Sequence, residues 1–114
     1  MAGSKYQRRT ERVPMQTFAS IETVGVLASN NQTFGVVLDV SRNGLGLRTG
    51  QPPGVGLRVI VRLGIGEEIR PLKAIVRRLK LRSQNVFDVG LEWQDCSTND
   101  LSFVDEFEAL HTSR

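Results

Sequence analysis

Apolar and polar residues alternate along most of this chain, and turn-forming clusters break the alternation into short segments. Leu57, Val59, Val61, Leu63 and Ile65 interleave with Arg58, Ile60, Arg62 and Gly64, which predicts a strand over 57–65. Phe87, Val89, Leu91 and Trp93 interleave with Asp88, Gly90, Glu92 and Gln94, a sixth strand. Between them, 69–82 reads as a fifth strand with Ala74 and Val76 on one face. Leu79 and Leu81 fall on the opposite parity. The phase therefore changes near Arg77-Arg78, as at a β-bulge or in a strand half out of the core. Upstream, Met15 to Leu27 mixes Phe18, Ile21, Val24 and Val26 with Thr and Ser and predicts a first strand. Segments 34–41 and 44–49 predict the second and third. Period two puts Val36, Leu38 and Val40 on a core face and Asp39 and Ser41 on the outer one. Asn43-Gly44, where both residues tolerate positive φ, joins the pair as a hairpin.

The last segment changes period. Ser97 reads as a helix N-cap with Asp100 three residues on, close to a capping box. Phe103, Val104, Phe107 and Leu110 then recur at helical spacing, while Asp105, Glu106 and Ala109 point away. The acids suit the first half of a helix dipole. That stripe is core packing. Six short strands and one helix predict a mainly-β fold: a six-stranded antiparallel barrel with a C-terminal α-helix across one opening.

Composition narrows the class. At 114 residues, with 39% hydrophobic and 24% charged, the chain is one soluble domain able to fold without staples. Cys96 is the only cysteine, which excludes an internal disulfide framework or a cysteine metal cluster. No run approaches the ~18 apolar residues of a membrane span. No apolar segment follows Met1 to Lys5, so the reading expects no signal peptide, no membrane insertion and a cytoplasmic setting.

The net charge of +3 is small but uneven. Residues 1–12 carry Lys5, Arg8, Arg9 and Arg12 against Glu11 alone. Residues 69–82 carry Arg70, Lys73, Arg77, Arg78, Lys80 and Arg82 with no acid. Acids gather in the final helix. Solvated faces account for many such sets, but two basic segments also fit an anionic partner. Residues 1–14 lack periodicity and predict a mobile basic arm, with 15–114 as the barrel domain. In the arm, Arg8 and Arg12 stand four apart, and guanidinium groups fork onto phosphate oxygens or a guanine edge.

Catalysis finds little support. His111 is the only histidine and is expected at the surface, near the end of the helix. Ser41 has no neighbouring base to activate it. Asp88, Glu92 and Asp95 lack the His or Cys spacing of a transition-metal site. No phosphate-cradling GxxxxGK[ST] or helix-opening GxGxxG is present. The reading is a binding module with no catalytic residue, no metal and no cofactor.

Arg8-x-x-x-Arg12 followed by Asp39-x-Ser41-x-x-Gly44 resembles the paired RxxxR and [D/N]xSxxG motifs of the PilZ domain family, bacterial receptors for cyclic di-GMP. Val89-Gly90-Leu91-Glu92-Trp93 resembles that family's closing strand. The resemblance runs from Arg8 to the C-terminal helix, and it implies the barrel-plus-helix fold that the periodicity reached separately. It further implies that Arg8 and Arg12 grip phosphate and a guanine Hoogsteen edge. Asp39 would accept from guanine N1–H and N2–H₂. Ser41 would donate to phosphate or fix Asp39, and Gly44 would admit the ligand near the backbone. Arg9 would add a phosphate contact, and Arg78 would stack on a purine. The arm would fold over the ligand and change a surface read by a downstream protein partner. Family members regulate motility, pili, exopolysaccharide synthesis or virulence. Gln7 leaves open one ligand or an intercalated pair. Two other readings stand beside this one. A small barrel could bind single-stranded nucleic acid along 69–82, although seven aromatics, mostly at inward positions, make a poor stacking platform. A PilZ-like adaptor could bind protein without any nucleotide.

Overall fold

The alternating segments become β1 (Phe18–Thr23), β2 (Gln32–Val40), β3 (Gly44–Thr49), β4 (Arg58–Ile65), β5 (Glu68–Ser83) and β6 (Val86–Trp93). This is a computed structural model, and it describes residues 17–25 and 32–112. The proposed arm, residues 1–14, lies outside them, as do both ends of the predicted first strand. Every pairing is antiparallel, and the order β1–β2–β3–β6–β5–β4 closes on itself through β1 and β4. Closure gives every strand a neighbour on each side over part of its length, which shortens the exposed edges, although β5 is paired with β4 only over its first half and with β6 only over its second.

The inward positions form one core. Val59, Val61 and Leu63 of β4 are buried, as are Leu72, Ala74 and Val76 of β5. Leu45 and Leu47 of β3 and Val89, Leu91 and Trp93 of β6 complete the far wall. The alternation of β4 is as predicted, except that Leu57 lies ahead of the strand and is exposed.

Three register shifts interrupt the ladders: one at Arg82, near the end of β5, and two bulges, at Arg77 and Leu38, that set which side chains face out beside the β2–β3 turn. In β5 the register jumps between Val76↔Leu91 and Arg78↔Gly90, so Arg77 is the extra residue. The parity change read from Leu79 and Leu81 is this bulge. In β2 the register jumps between Val37↔Leu47 and Asp39↔Gly46, making Leu38 an extra residue. The expected core face of Val36, Leu38 and Val40 is therefore wrong. Val37 and Val40 are buried, Val36 is half-buried, and Leu38 is exposed with Asp39. The extra residue turns the strand by one position, and the apolar run Val36-Val37-Leu38 is compatible with either phase.

Helix α1 (Thr98–Thr112) packs on the barrel end where β2 and β6 stop and β5 starts. Its start is a reciprocal capping box. Asp100 N–H donates to Ser97 Oγ at 3.0 Å, and Ser97 N–H donates to Asp100 Oδ2 at 3.0 Å. Arg70 Nη1 also donates to Asp100 at 2.9 Å while its guanidinium lies 5.3 Å from the Phe103 ring centre. Phe103, Val104 and Phe107 enter the core as predicted. Leu110 does not; it is exposed. The last turn of the helix carries it beyond the barrel contact that buries Phe107. His111 is half-buried rather than a bare surface residue, stacked on Phe107 with ring centres 6.1 Å apart.

The Ser97 backbone hydrogen bond holds the Asp100 carboxyl below its ordinary range, with the Arg70 partnership acting in the same direction. A carboxyl with a depressed folded-state pKa contributes stability that is complete above the unfolded value of ~3.9 and lost as pH falls through the folded one. Unfolding titrations should therefore show stability dropping below about pH 4. Asp100→Asn should flatten that part of the profile. An unchanged acid limb in Asp100→Asn would show that other carboxyls carry it.

Candidate ligand-binding site

The site starts at the turn from β2 to β3. Ser41 and Gly44 form its last hydrogen-bonded pair. Ser41 N–H donates to Gly44 O at 2.9 Å, and Gly44 N–H donates to Ser41 O at 3.3 Å. Arg42 and Asn43 are the two central residues. Ser41 Oγ accepts from Asn43 N–H at 3.1 Å, so the hydroxyl braces its own turn. From β6, Trp93 Nε1–H donates to Ser41 O at 2.9 Å and Trp93 N–H to Asn43 O at 3.1 Å. Arg42 reaches α1 through Asp105 at 3.2 Å. The motif loop is thus tied to β6 and to the helix together.

The expected positive φ at Asn43 and Gly44 is absent; among the described residues it falls at Gly25, Gly56, Gly66, Asn85 and Asp95. Gly44 is small for another reason. A Cβ there would lie 1.9 Å from the Leu91 carbonyl oxygen. Close approach of β3 to β6, not turn conformation, requires the glycine.

One cross-strand row organises the outer wall beside this turn. Asp39 pairs with Gly46, Gly46 with Gly90, and Gly90 with Arg78. Two glycines therefore form a bare floor between a carboxylate and a guanidinium. Both side chains lean over that floor. A Cβ on Gly46 would meet Asp39 Oδ1 at 2.9 Å, and one on Gly90 would meet Arg78 Nη2 at 3.0 Å. The hollow above holds about 330 Å³ and is lined by Asp39, Ser41, Gly44, Arg78, Gly90 and Glu92, among others. A second hollow of about 520 Å³ adjoins it, sharing Asp39, Arg77, Arg78 and Gly90.

Charge pairing separates the lining groups. Arg77 Nε donates to Glu92 Oε1 at 2.5 Å. Farther along the wall, Arg48 donates to both Asp88 oxygens at 2.8 and 3.3 Å, and its hydrogen bond holds the Asp88 carboxyl below its ordinary range. Asp39 and Arg78 have no hydrogen-bond or ion-pair partner among the described residues. Unpaired opposite charges across a glycine floor can take an acceptor-and-donor ligand with a flat face.

Four of the seven expected ligand residues, Asp39, Ser41, Gly44 and Arg78, thus line one hollow. Arg8, Arg9 and Arg12 lie outside the described residues. The sequence reading missed Gly46, Gly90, Arg77 and Glu92 as parts of this surface. A signal for the glycines was present: Leu45-Gly46-Leu47 and Val89-Gly90-Leu91 each place a glycine between two inward residues. Of the aromatics, expected to be mostly inward, Trp93, Phe103 and Phe107 are buried, while Phe18 and Phe34 are exposed. They sit on β1 and β2, away from the basic strand. No cluster of three metal-ligating side chains occurs among the described residues. No described helix is long and apolar enough to cross a membrane.

A closed six-stranded barrel with one helix at its end and a polar trough on its outer wall defines a small binding domain. The chain belongs to the PilZ domain family, whose profile matches residues 6–108. PilZ domains are ligand-binding and effector domains. The structure resembles the PilZ domain with c-di-GMP of YcgR from Escherichia coli, with a TM-score of 0.68 and 15% identity over 84% of this chain and 81% of that one. It also resembles the PilZ domain of CeSA from a cellulose-synthesizing bacterium, with a TM-score of 0.63 and 15% identity over 84% and 92% of the two chains. At such identity the likeness speaks for the fold. No curated protein matches the chain.

Proposed function

We propose that this domain is a receptor for cyclic di-GMP that regulates a downstream protein. The observation that carries the proposal is the row Asp39–Gly46–Gly90–Arg78, with its two unpaired charged ends. In this reading a guanine lies over the glycine floor. Asp39 accepts from its N1–H and N2–H₂ groups, and Arg78 stacks on the purine. Ser41 already accepts from Asn43, and its own O–H remains able to donate to phosphate. Arg8 and Arg12 hold phosphate and the Hoogsteen edge, with Arg9 on the second phosphate. The basic arm closes over the ligand, and its ordering reduces the net affinity. The altered surface is what a cytoplasmic partner controlling motility, pili, exopolysaccharide or virulence would read. Support comes from the family, from the motifs, and from a structural neighbour described with c-di-GMP.

Calorimetric titration with cyclic di-GMP, GTP and a short single-stranded oligonucleotide tests this. The expected result is micromolar or tighter binding of the cyclic dinucleotide alone. Arg12→Ala, Asp39→Ala and deletion through Arg12 should each abolish it and leave thermal unfolding cooperative. Binding should fall only modestly with salt, unlike a nucleic-acid complex that releases many counterions. No heat with the cyclic dinucleotide would overturn the receptor reading and leave a nucleotide-independent adaptor.

A further inference from the structure

Strand β5 outruns the barrel. It pairs with β4 from Glu68 to Ile75 and with β6 from Ala74 to Ser83. The β4 side ends with one more exchange at Val76, whose N–H donates to Leu57 O at 3.0 Å while its carbonyl accepts from Gly56 N–H at 2.8 Å. From Arg77 to Ser83, β5 has β6 on one side and, among the described residues, no strand on the other. An edge of this kind presents alternate backbone N–H and C=O groups to whatever approaches.

Its side chains sort by face. Arg78 and Lys80 share the outer one, and Arg82, the extra residue of a second register shift between Leu81 and Ser83, joins them through Asp88, which lies opposite Lys80. Leu79 and Leu81 share the other, which emerges past the core and leaves them 38% and 62% exposed. Arg82 reaches Asp88 at 3.3 Å. Arg78 and Lys80 have no ion-pair partner among the described residues. Exposed Val55 lines the larger hollow of about 520 Å³ together with Leu79, Arg78 and Lys80.

We propose that residues 77–83 of β5 form a docking edge for an extended segment of a partner protein in which acidic and apolar residues alternate. The added strand completes the unpaired backbone of β5. Its acids lie against Arg78 and Lys80, and its apolar residues against Leu79, Leu81 and Val55. The cations select the occupant. A second copy adding through the same edge would set Arg78, Lys80 and Arg82 against themselves, and like charges opposite each other destabilise a ladder. Nucleic acid would need stacking aromatics, and none lies on residues 77–83.

The test uses the full chain without nucleotide, so its outcome is independent of the cyclic di-GMP reading. Three short labelled peptides are titrated by fluorescence anisotropy: alternating Asp-Val, alternating Lys-Val and alternating Asp-Ser, beside an oligothymidylate. Hydrogen exchange is followed at the amides of residues 77–83. The Asp-Val peptide should bind at least about tenfold tighter than the other probes and slow exchange within 77–83. Lys80→Glu and Leu81→Ser, both at exposed positions, should each weaken it by about tenfold while the unfolding transition stays in place. Equal binding of Asp-Ser would reduce the effect to charge alone and overturn the docked strand. Tighter oligothymidylate binding, protection only outside 77–83, or no Asp-Val binding would overturn it too. Concentration-dependent protection without peptide would assign the edge to a second copy.

Discussion

Gly44→Ala should cost this barrel about 3 kcal/mol or more, at or above the upper end of ordinary overpacking. The added methyl would lie 1.9 Å from the Leu91 carbonyl oxygen and 3.0 Å from its carbon. Both are backbone atoms, so no rotamer change relieves the clash. Relief requires β3 and β6 to separate where Gly44 faces Glu92 and Leu45 faces Leu91. Trp93 resists that separation through its hydrogen bonds to Ser41 O and Asn43 O. At roughly 4–8 °C per kcal/mol for a domain of this size, the melting temperature should fall by at least about 12 °C. Urea unfolding gives the free energy directly. A loss below about 1 kcal/mol would mean that the turn re-seats without disturbing the seam, and the close-approach account of Gly44 would be wrong.

Gly90→Val should do the opposite: spare the fold and remove the ligand. The atoms that a Cβ meets there are Nη2, Nε and Cζ of Arg78, at 3.0, 3.1 and 3.2 Å. These belong to the far end of a flexible, exposed side chain that can swing away. A β-branched residue also suits a strand. Stability should change by less than about 1 kcal/mol. The trough, however, loses its floor, and Arg78 loses its position over it. An arginine stacked on a π-face is worth about 0.5–2 kcal/mol. Affinity for cyclic di-GMP should therefore fall between about twofold and thirtyfold by calorimetry. Unaltered affinity in a folded Gly90→Val protein would move the guanine off this floor. Read together, the two glycine substitutions separate a residue that the chain needs for its own packing from one that the ligand needs.

Much of the architecture was legible in one dimension. Strict alternation in β4 and β6 marked them because each has one face in the core and one in solvent. The parity change at Leu79 marked the Arg77 bulge because apolar side chains bracket it on both sides. Ser97 and Asp100 marked the helix start because a capping box needs only local atoms. Leu38 was misplaced where β2 carries consecutive apolar residues, which removes the periodic signal that would reveal an extra residue. Leu110 was misplaced because helical spacing defines a stripe but not where the surface it packs on ends.

The sequence by itself determined the element types and their order, and it carried the polar residues Asp39, Ser41 and Arg78. Propensity, periodicity and capping act between residues a few positions apart, so they can be read from the chain. Only the tertiary structure decided that Asp39 and Arg78, far apart in sequence, stand at two ends of one row. That row exists because β3 and β6 pair in the register that sets Gly46 against Gly90. The register follows from barrel closure and from bulges at Leu38 and Arg77. The reason for Gly44 was tertiary as well, since the atom it avoids belongs to Leu91 on another strand.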